Sequence, residues 1–361
     1  MSVRSSQRIE DSVADSRPAA FFDAAYAAYQ RAEQAAGGAT DAWYEIAGFP
    51  IRLRSAGDAL AARLTPALAH LTAPAAEPAL TICLWDTVST GAPMPKPPWG
   101  EEDFLARAEI RGYNTPRFRA AYDVRGGALR LLDQARNLAI FWTHDPATLP
   151  VYDRSAPFRM ILHWWMQAHQ RHFVHAGAVG TAEGGVLLAG KREAGKSTAA
   201  TVSLLAGLLY AGDDYCLVST EPAPCVYSLY SSAKLDLDNL RRCAPRLEAL
   251  ISNPDELGRE KALLFFHPHY PTQMAREFPV RAILLPTATG GRETRLIPAA
   301  PITALQALAP GTLAQLSGAG AEEFRAISAF VRSVPSYHLE LGAETNQIPR
   351  VIAQLLNEGQ R

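Results

Sequence analysis

Cysteine is scarce in this chain, with four in 361 residues. Cys83, Cys216, Cys225 and Cys243 show no C-x-x-C spacing, which argues against a zinc ribbon or a disulfide framework and fits reduced cytosolic thiols. Net charge is lacking too. With 35 basic and 36 acidic residues the balance is −1, too little field to attract nucleic acid or an anionic membrane. No apolar run approaches the roughly 20 residues of a membrane span. The N-terminus is polar and charged, unlike a signal peptide. No internal repeat is present. Together these absences predict a cytoplasmic protein with no nucleic-acid and no membrane partner; a homo-oligomer stays open. Hydrophobic residues are plentiful at 48%, enough for a substantial core, and the length suggests about two domains.

Residues 1–150 read as an α+β region without a catalytic motif. The polar stretch 1–17 is expected to lack regular structure. Pro18 to Ala36 places Phe21, Phe22, Ala25 and Tyr26 on one face and ends at Gly37-Gly38, the pattern of a helix. Hairpins are predicted over 43–54 and 117–132, strands over 80–85 and 138–142, and a helix interrupted by Pro66 over 57–71. A Pro/Gly-rich loop fills 87–100. We assign this region an accessory, substrate-recognising role and residues 151–361 the nucleotide chemistry. Phe158, Ile161, Leu162 and Trp165 follow helical spacing within 157–171. Further on, a strand is predicted at 281–285 with 293–297 as its hairpin partner, and helices over 302–308, 321–332 and 348–356.

The densest information lies at Gly190-Lys191-Arg192-Glu193-Ala194-Gly195-Lys196-Ser197, which fits G-x-x-x-x-G-K-[ST] at every required position. Val186 to Ala189 before it reads as a buried strand, and Ser197 to Ala206 after it as a helix stopped by Gly207. A loop joining a strand to a helix N-terminus offers unpaired N–H groups and about half a positive charge, a seat for phosphates. Lys196 would reach the β- and γ-phosphates and the Ser197 hydroxyl would hold Mg²⁺, with Thr198 counted among the nucleotide-binding residues. The implied cofactors are ATP and Mg²⁺. If position 193 needs a left-handed backbone, Glu there costs about 1–2 kcal/mol.

One short helix separates Ser197 from Leu208 to Ala211, the next predicted strand, and from Asp213-Asp214. A strand–helix–strand crossover makes the two strands parallel, so both end at one edge of the sheet, beside the phosphates. Asp214 is placed to bind Mg²⁺, directly or through water, and Asp213 to take a proton from an attacking hydroxyl. Upstream, 171–179 reads as a strand and 181–185 as a tight turn. His175 would lie next to the loop, tuning Asp213, touching phosphate, or serving only as a structural histidine. Lys234, Lys261, Arg292 and Arg295 are candidate further contacts to the triphosphate.

Phe173-Val174-His175-Ala176, the short hairpin, the 190–197 loop and Gly212-Asp213-Asp214, in that order, resemble the catalytic domain of the HPr kinase/phosphorylase family. The set is similar in particular to HPr-kinase-like serine kinases that act on ribosomal precursor peptides, lasso-peptide precursors among them. The resemblance implies an α/β fold: a C-terminal HPr-kinase-like P-loop domain, related to phosphoenolpyruvate carboxykinase, preceded by a smaller α+β domain. It implies Asp213 as general base, Ser197 and Asp214 on Mg²⁺, His175 as an active-site partner, and a protein or peptide acceptor serine. The Glu-Ile-Arg-Gly-Leu-Gly run of true HPr kinases is missing downstream, which points away from HPr itself as acceptor. A small-molecule kinase of the same fold and a non-enzymatic nucleotide-binding regulator remain alternatives.

Overall fold

The computed structural model describes residues 2–358. The chain divides into two compact units. One runs to Thr65 and resumes over Thr72–Trp165; the other combines Pro66–Leu71 with the chain from Met166 onward.

The first unit opens with α1 (Ser2–Ala35). The expected unstructured segment is thus helical from Ser2, Met1 lying outside the described residues. Pro18 sits inside the helix instead of starting it. Just ahead of Pro18, Asp15 accepts from the Thr115 hydroxyl at 2.6 Å and Arg17 lies over the Tyr113 ring. Gly37 and Gly38, both at positive φ, end the helix as anticipated. β1 (Ala39–Ile46) and β2 (Phe49–Ala56) form the first hairpin, followed by α2 (Ala59–Leu64), β3 (Leu80–Asp86) and α3 (Thr87–Thr90). β4 (Phe118–Asp123), β5 (Ala128–Asp133), β6 (Leu138–Thr143) and α4 (Val151–Ser155) complete it. The sheet order is β1-β2-β3-β6-β5-β4, with β3 parallel to both β2 and β6. Phe22, Ala25, Tyr29 and Ala32, one face of α1, pack with Trp85, Leu131 and Ile140 of that sheet.

α5 (Arg159–Gln167) carries the chain into the second unit and lies within the helical stretch expected over 157–171; Phe158, at φ 55°, separates it from α4. There β7 (His172–Val174), β8 (Ala176–Thr181), β9 (Gly184–Ala189), α6 (Lys196–Leu205), β10 (Leu209–Gly212), β11 (Cys216–Ser219) and β12 (Cys225–Ser228) follow one another. Next come β13 (Ser232–Leu235), α7 (Leu237–Cys243), β14 (Ala262–Phe265), β15 (Glu277–Ala288), β16 (Arg295–Ala299), α8 (Pro301–Gln315), α9 (Ala321–Ser333), β17 (Ser336–Leu341) and α10 (Gln347–Glu358). β13 and β14 form a separate pair; the other strands make a nine-stranded mixed sheet. It branches at the long β15, which pairs with β12 through its first residues and with β9 and β17 further along.

Three expectations change here. The strand read over 171–179 is broken at His175. β7 belongs to the β12-β11-β7 arm and β8 to the β10-β8-β9 arm, so one residue stands where the two arms meet. β10 does run in the direction of β9, but β8 lies between them, antiparallel to both. The segment around 293–297 pairs with β17, not with the strand before it. Along β9, Val186 and Leu188 enter one core with α6 and α10, while Leu187 and Ala189 enter the other with α8 and α9. Both faces are covered, which is why this strand reads as an unbroken apolar run.

Candidate active site

β9 and β10 both end at the edge where α6 begins. The 190–195 loop turns tightly there, Ala194 N–H donating to Lys191 O at 3.2 Å. Gly195 precedes α6 at φ 102°, a backbone that favours glycine, and a Cβ there would also displace the tip of the Leu341 side chain. Glu193 has the left-handed backbone considered for it, φ 66°, at a cost of about 1–2 kcal/mol. Its exposed side chain lies 3.6 Å from Arg192. Lys191 is exposed as well.

Lys196 is 7% exposed. Its Nζ donates to the Gly190 and Lys191 carbonyls at 2.8 and 3.1 Å, so the loop closes on its own lysine. Burial lowers its pKa; the charges of Asp213 and Asp214 oppose that and Lys261 adds to it. Lys261 is therefore within electrostatic reach of the loop. Thr198 is held from the side by α7, its Oγ1 accepting from Asn239 Nδ2 at 2.6 Å.

The two aspartates occupy different environments. Asp213 is 3% exposed. Its Oδ2 accepts from the Lys234 N–H at 3.3 Å, while Oδ1 is buried with no donor in hydrogen-bond geometry. Burial pushes its pKa up to about 6, helped by the charge of Asp214; the Ser197 hydroxyl, the Lys234 N–H and Lys196 oppose the shift. Asp214 is fully engaged. Oδ1 lies 2.8 Å from His175 Nε2 and Oδ2 lies 2.8 Å from Lys234 Nζ. Burial alone would raise its pKa, but the Lys234 charge and the His175 contact hold it far below the usual carboxylate range.

The structure brings Lys196, Ser197, Asp213, Asp214 and His175 together, with Lys234, considered for the triphosphate, paired to Asp214. His175 contacts Asp214. Each Asp214 oxygen has a protein partner, whereas Asp213 Oδ1 accepts no hydrogen bond. Arg295 is exposed and pairs with Glu293 at 2.8 Å; Arg292 is exposed too. Among the described residues no three His, Cys, Asp or Glu side chains are grouped to hold a metal. The oxygens available to a cation are the Ser197 hydroxyl and the carboxylates, a hard donor set suited to Mg²⁺ with waters and phosphate. Thr312, Gln315 and Tyr215, which surround His175, were not foreseen; nothing local in the sequence distinguishes them. No helix among the described residues is long and apolar enough to cross a membrane.

No protein-family model matches the chain. No curated protein matches it either. Among solved structures it is similar to the Hpr(Ser) kinase/phosphatase from Coxiella burnetii, at 10% identity and a TM-score of 0.29, over 52% of this chain and 96% of that one. A score that low fixes neither fold nor activity.

Proposed function

We propose that this protein is a Mg²⁺-ATP-dependent kinase that transfers the γ-phosphate to a serine hydroxyl of a protein or ribosomal precursor peptide. One observation carries the reading: a glycine-bounded loop with its buried lysine meets Asp213, a buried carboxylate with a free Oδ1 and a pKa near 6. A base of that strength is ionised at neutral pH yet still accepts a proton in the transition state. The serine acceptor rests on the order of motifs around His175, the loop and Asp213-Asp214.

In this reading the N-terminus of α6 receives the phosphates and Lys196 exchanges the loop carbonyls for phosphate oxygens. The acceptor oxygen forms a bond to the γ-phosphorus as the bond to the β-bridging oxygen breaks. The hydroxyl proton goes to Asp213 Oδ1 and ADP leaves. Ser197 would hold Mg²⁺ directly and Asp214 through water, and the bound ion would neutralise phosphate charge. Lys234 and His175 keep Asp214 in place, and most of the rate gain is positional and electrostatic.

The test is mass spectrometry of candidate serine peptides after incubation with Mg²⁺-ATP, looking for a gain of ~80 Da, the mass of a transferred phosphate. Asp213→Asn should lower transfer by about 10²–10⁴-fold while nucleotide still binds. Lys196→Ala should weaken both. Full transfer by Asp213→Asn would remove the assigned base. Nucleotide binding with no phosphorylated acceptor of any class would favour a non-enzymatic regulator.

A further inference from the structure

Thr198 stands in the first turn of α6, one residue past Ser197, and its hydroxyl is handled by a neighbouring helix. α7 is capped by Asp236, whose Oδ1 accepts from the Asn239 N–H at 3.3 Å, so Asn239 is held at the third helical position. Leu240 and Ala244 of α7 enter the core that contains Ala199, Ala200 and Val202 of α6, which packs the two helices together. Asn239 Nδ2 lies 2.6 Å from Thr198 Oγ1. On the other side of the amide, Asn239 Oδ1 lies 2.9 Å from Arg242 Nη2 and 3.4 Å from Cys243 Sγ. Positions 239, 242 and 243 share one helical face.

These contacts fix which way the amide faces, because a guanidinium has donors and no acceptor. The atom beside Arg242 is therefore the carbonyl oxygen, and the atom beside Thr198 is the NH₂ group. The Thr198 hydroxyl accepts at that contact and keeps its own hydrogen. Among the described residues it donates to no protein oxygen, unlike the Thr312 hydroxyl, which bonds back to Leu308 O of its own helix at 2.8 Å. The leftover hydrogen sits in a turn with other donors to spare. Gly195 supplies no side-chain cap to α6, and the Ala199 N–H reaches Gly195 O at 2.9 Å. The N–H groups ahead of Ala199 have no carbonyl within the helix to bond to.

We infer that Asn239 is a positioning residue for nucleotide: by donating to Thr198 Oγ1 it turns the hydroxyl hydrogen away from the protein and presents it, with the N–H groups of the same turn, to a phosphate oxygen. A helix outside the phosphate loop thereby adds to phosphate affinity through one side chain that makes no contact of its own with the ligand. This role rests on the nucleotide-binding half of the kinase reading and not on phosphate transfer.

The experiment is a double-mutant cycle on the full-length protein, read as Mg²⁺-ADP affinity by titration calorimetry, with the Tm of each ligand-free variant as the check on folding. Asn239→Leu and Thr198→Val should each weaken ADP binding by about threefold to tenfold, the scale of one net hydrogen bond. The double variant should bind ADP as Thr198→Val alone does, because Asn239 acts only through that hydroxyl. Asn239→Asp keeps the side-chain shape and replaces Asn239→Leu if the latter does not fold. Its oxygen captures the Thr198 hydrogen, so it should cost more affinity in the unaltered background than in the Thr198→Val background. Losses that multiply in the double variant, or unchanged affinity on Asn239→Leu, overturn the role of Asn239 and leave the loop as a nucleotide site. The expected cycle in a protein that phosphorylates nothing upholds that role and counts against the kinase reading alone. An unaltered protein that binds neither ADP nor ATP overturns both.

Discussion

Asp213 and Asp214 are neighbours in the chain with opposite electrostatics. The doublet is legible in the sequence, as is the loop, because both are local signatures. Which carboxylate is paired is not legible: that depends on Lys234 from β13 and on His175 at the meeting of two sheet arms. The raised pKa of Asp213 has a consequence for stability. Between pH 3.8 and about 6 the folded chain binds more protons at Asp213 than the unfolded chain. Stability therefore falls as pH rises through that window. At pH 7 the buried ionised carboxylate costs about 3 kcal/mol. Asp213→Asn should raise Tm at pH 7.5, and the gain should vanish near pH 4. Calorimetry at both values checks this; an equal Tm difference at the two would show that Asp213 is not a strained carboxylate.

At the scale of elements, hydrophobic periodicity located most helices and strands, since it reports which face is buried. It did not report partners: β16 pairs with β17, and β8 separates β9 from β10. Nor did it see that α8 runs on to Gln315, where its end meets His175. The short 66–71 segment gives another case. His70 Nε2 lies 2.7 Å from Ser228 Oγ, and its Nδ1 is buried without a partner. Burial, with the charges of His267 and Arg276, pushes its pKa down to about 3. The unfolded chain takes up this proton below about pH 6.5 and the folded one resists it. Stability is present above that pH and is lost as pH falls toward 3, by up to about 1.4 kcal/mol per pH unit. Urea unfolding at pH 7.5 and pH 5 should show a smaller difference for His70→Gln than for the unaltered chain. An identical difference would show that His70 does not sense acid.

At the scale of the molecule, an α/β architecture was legible and the unit to which residues 66–71 belong was not, because their contacts lie far along the chain. Ser231 N–H donates to Ala67 O at 2.8 Å, and Leu68 and Leu71 are buried. A fragment of residues 151–361 therefore lacks part of its own unit. It should melt below the full chain, and restoring residues 66–71 through a flexible N-terminal linker should recover much of the loss. Equal melting with and without them would show the segment to be dispensable. During synthesis the order of events is fixed by the same geometry. The 66–71 segment leaves the ribosome roughly a hundred residues before Met166, so domain-by-domain folding from the N-terminus cannot finish with it in place. The unit that houses the phosphate loop closes only after the chain beyond Met166 has emerged, and a chain ended before it would carry an unclaimed apolar strap where a chaperone could bind.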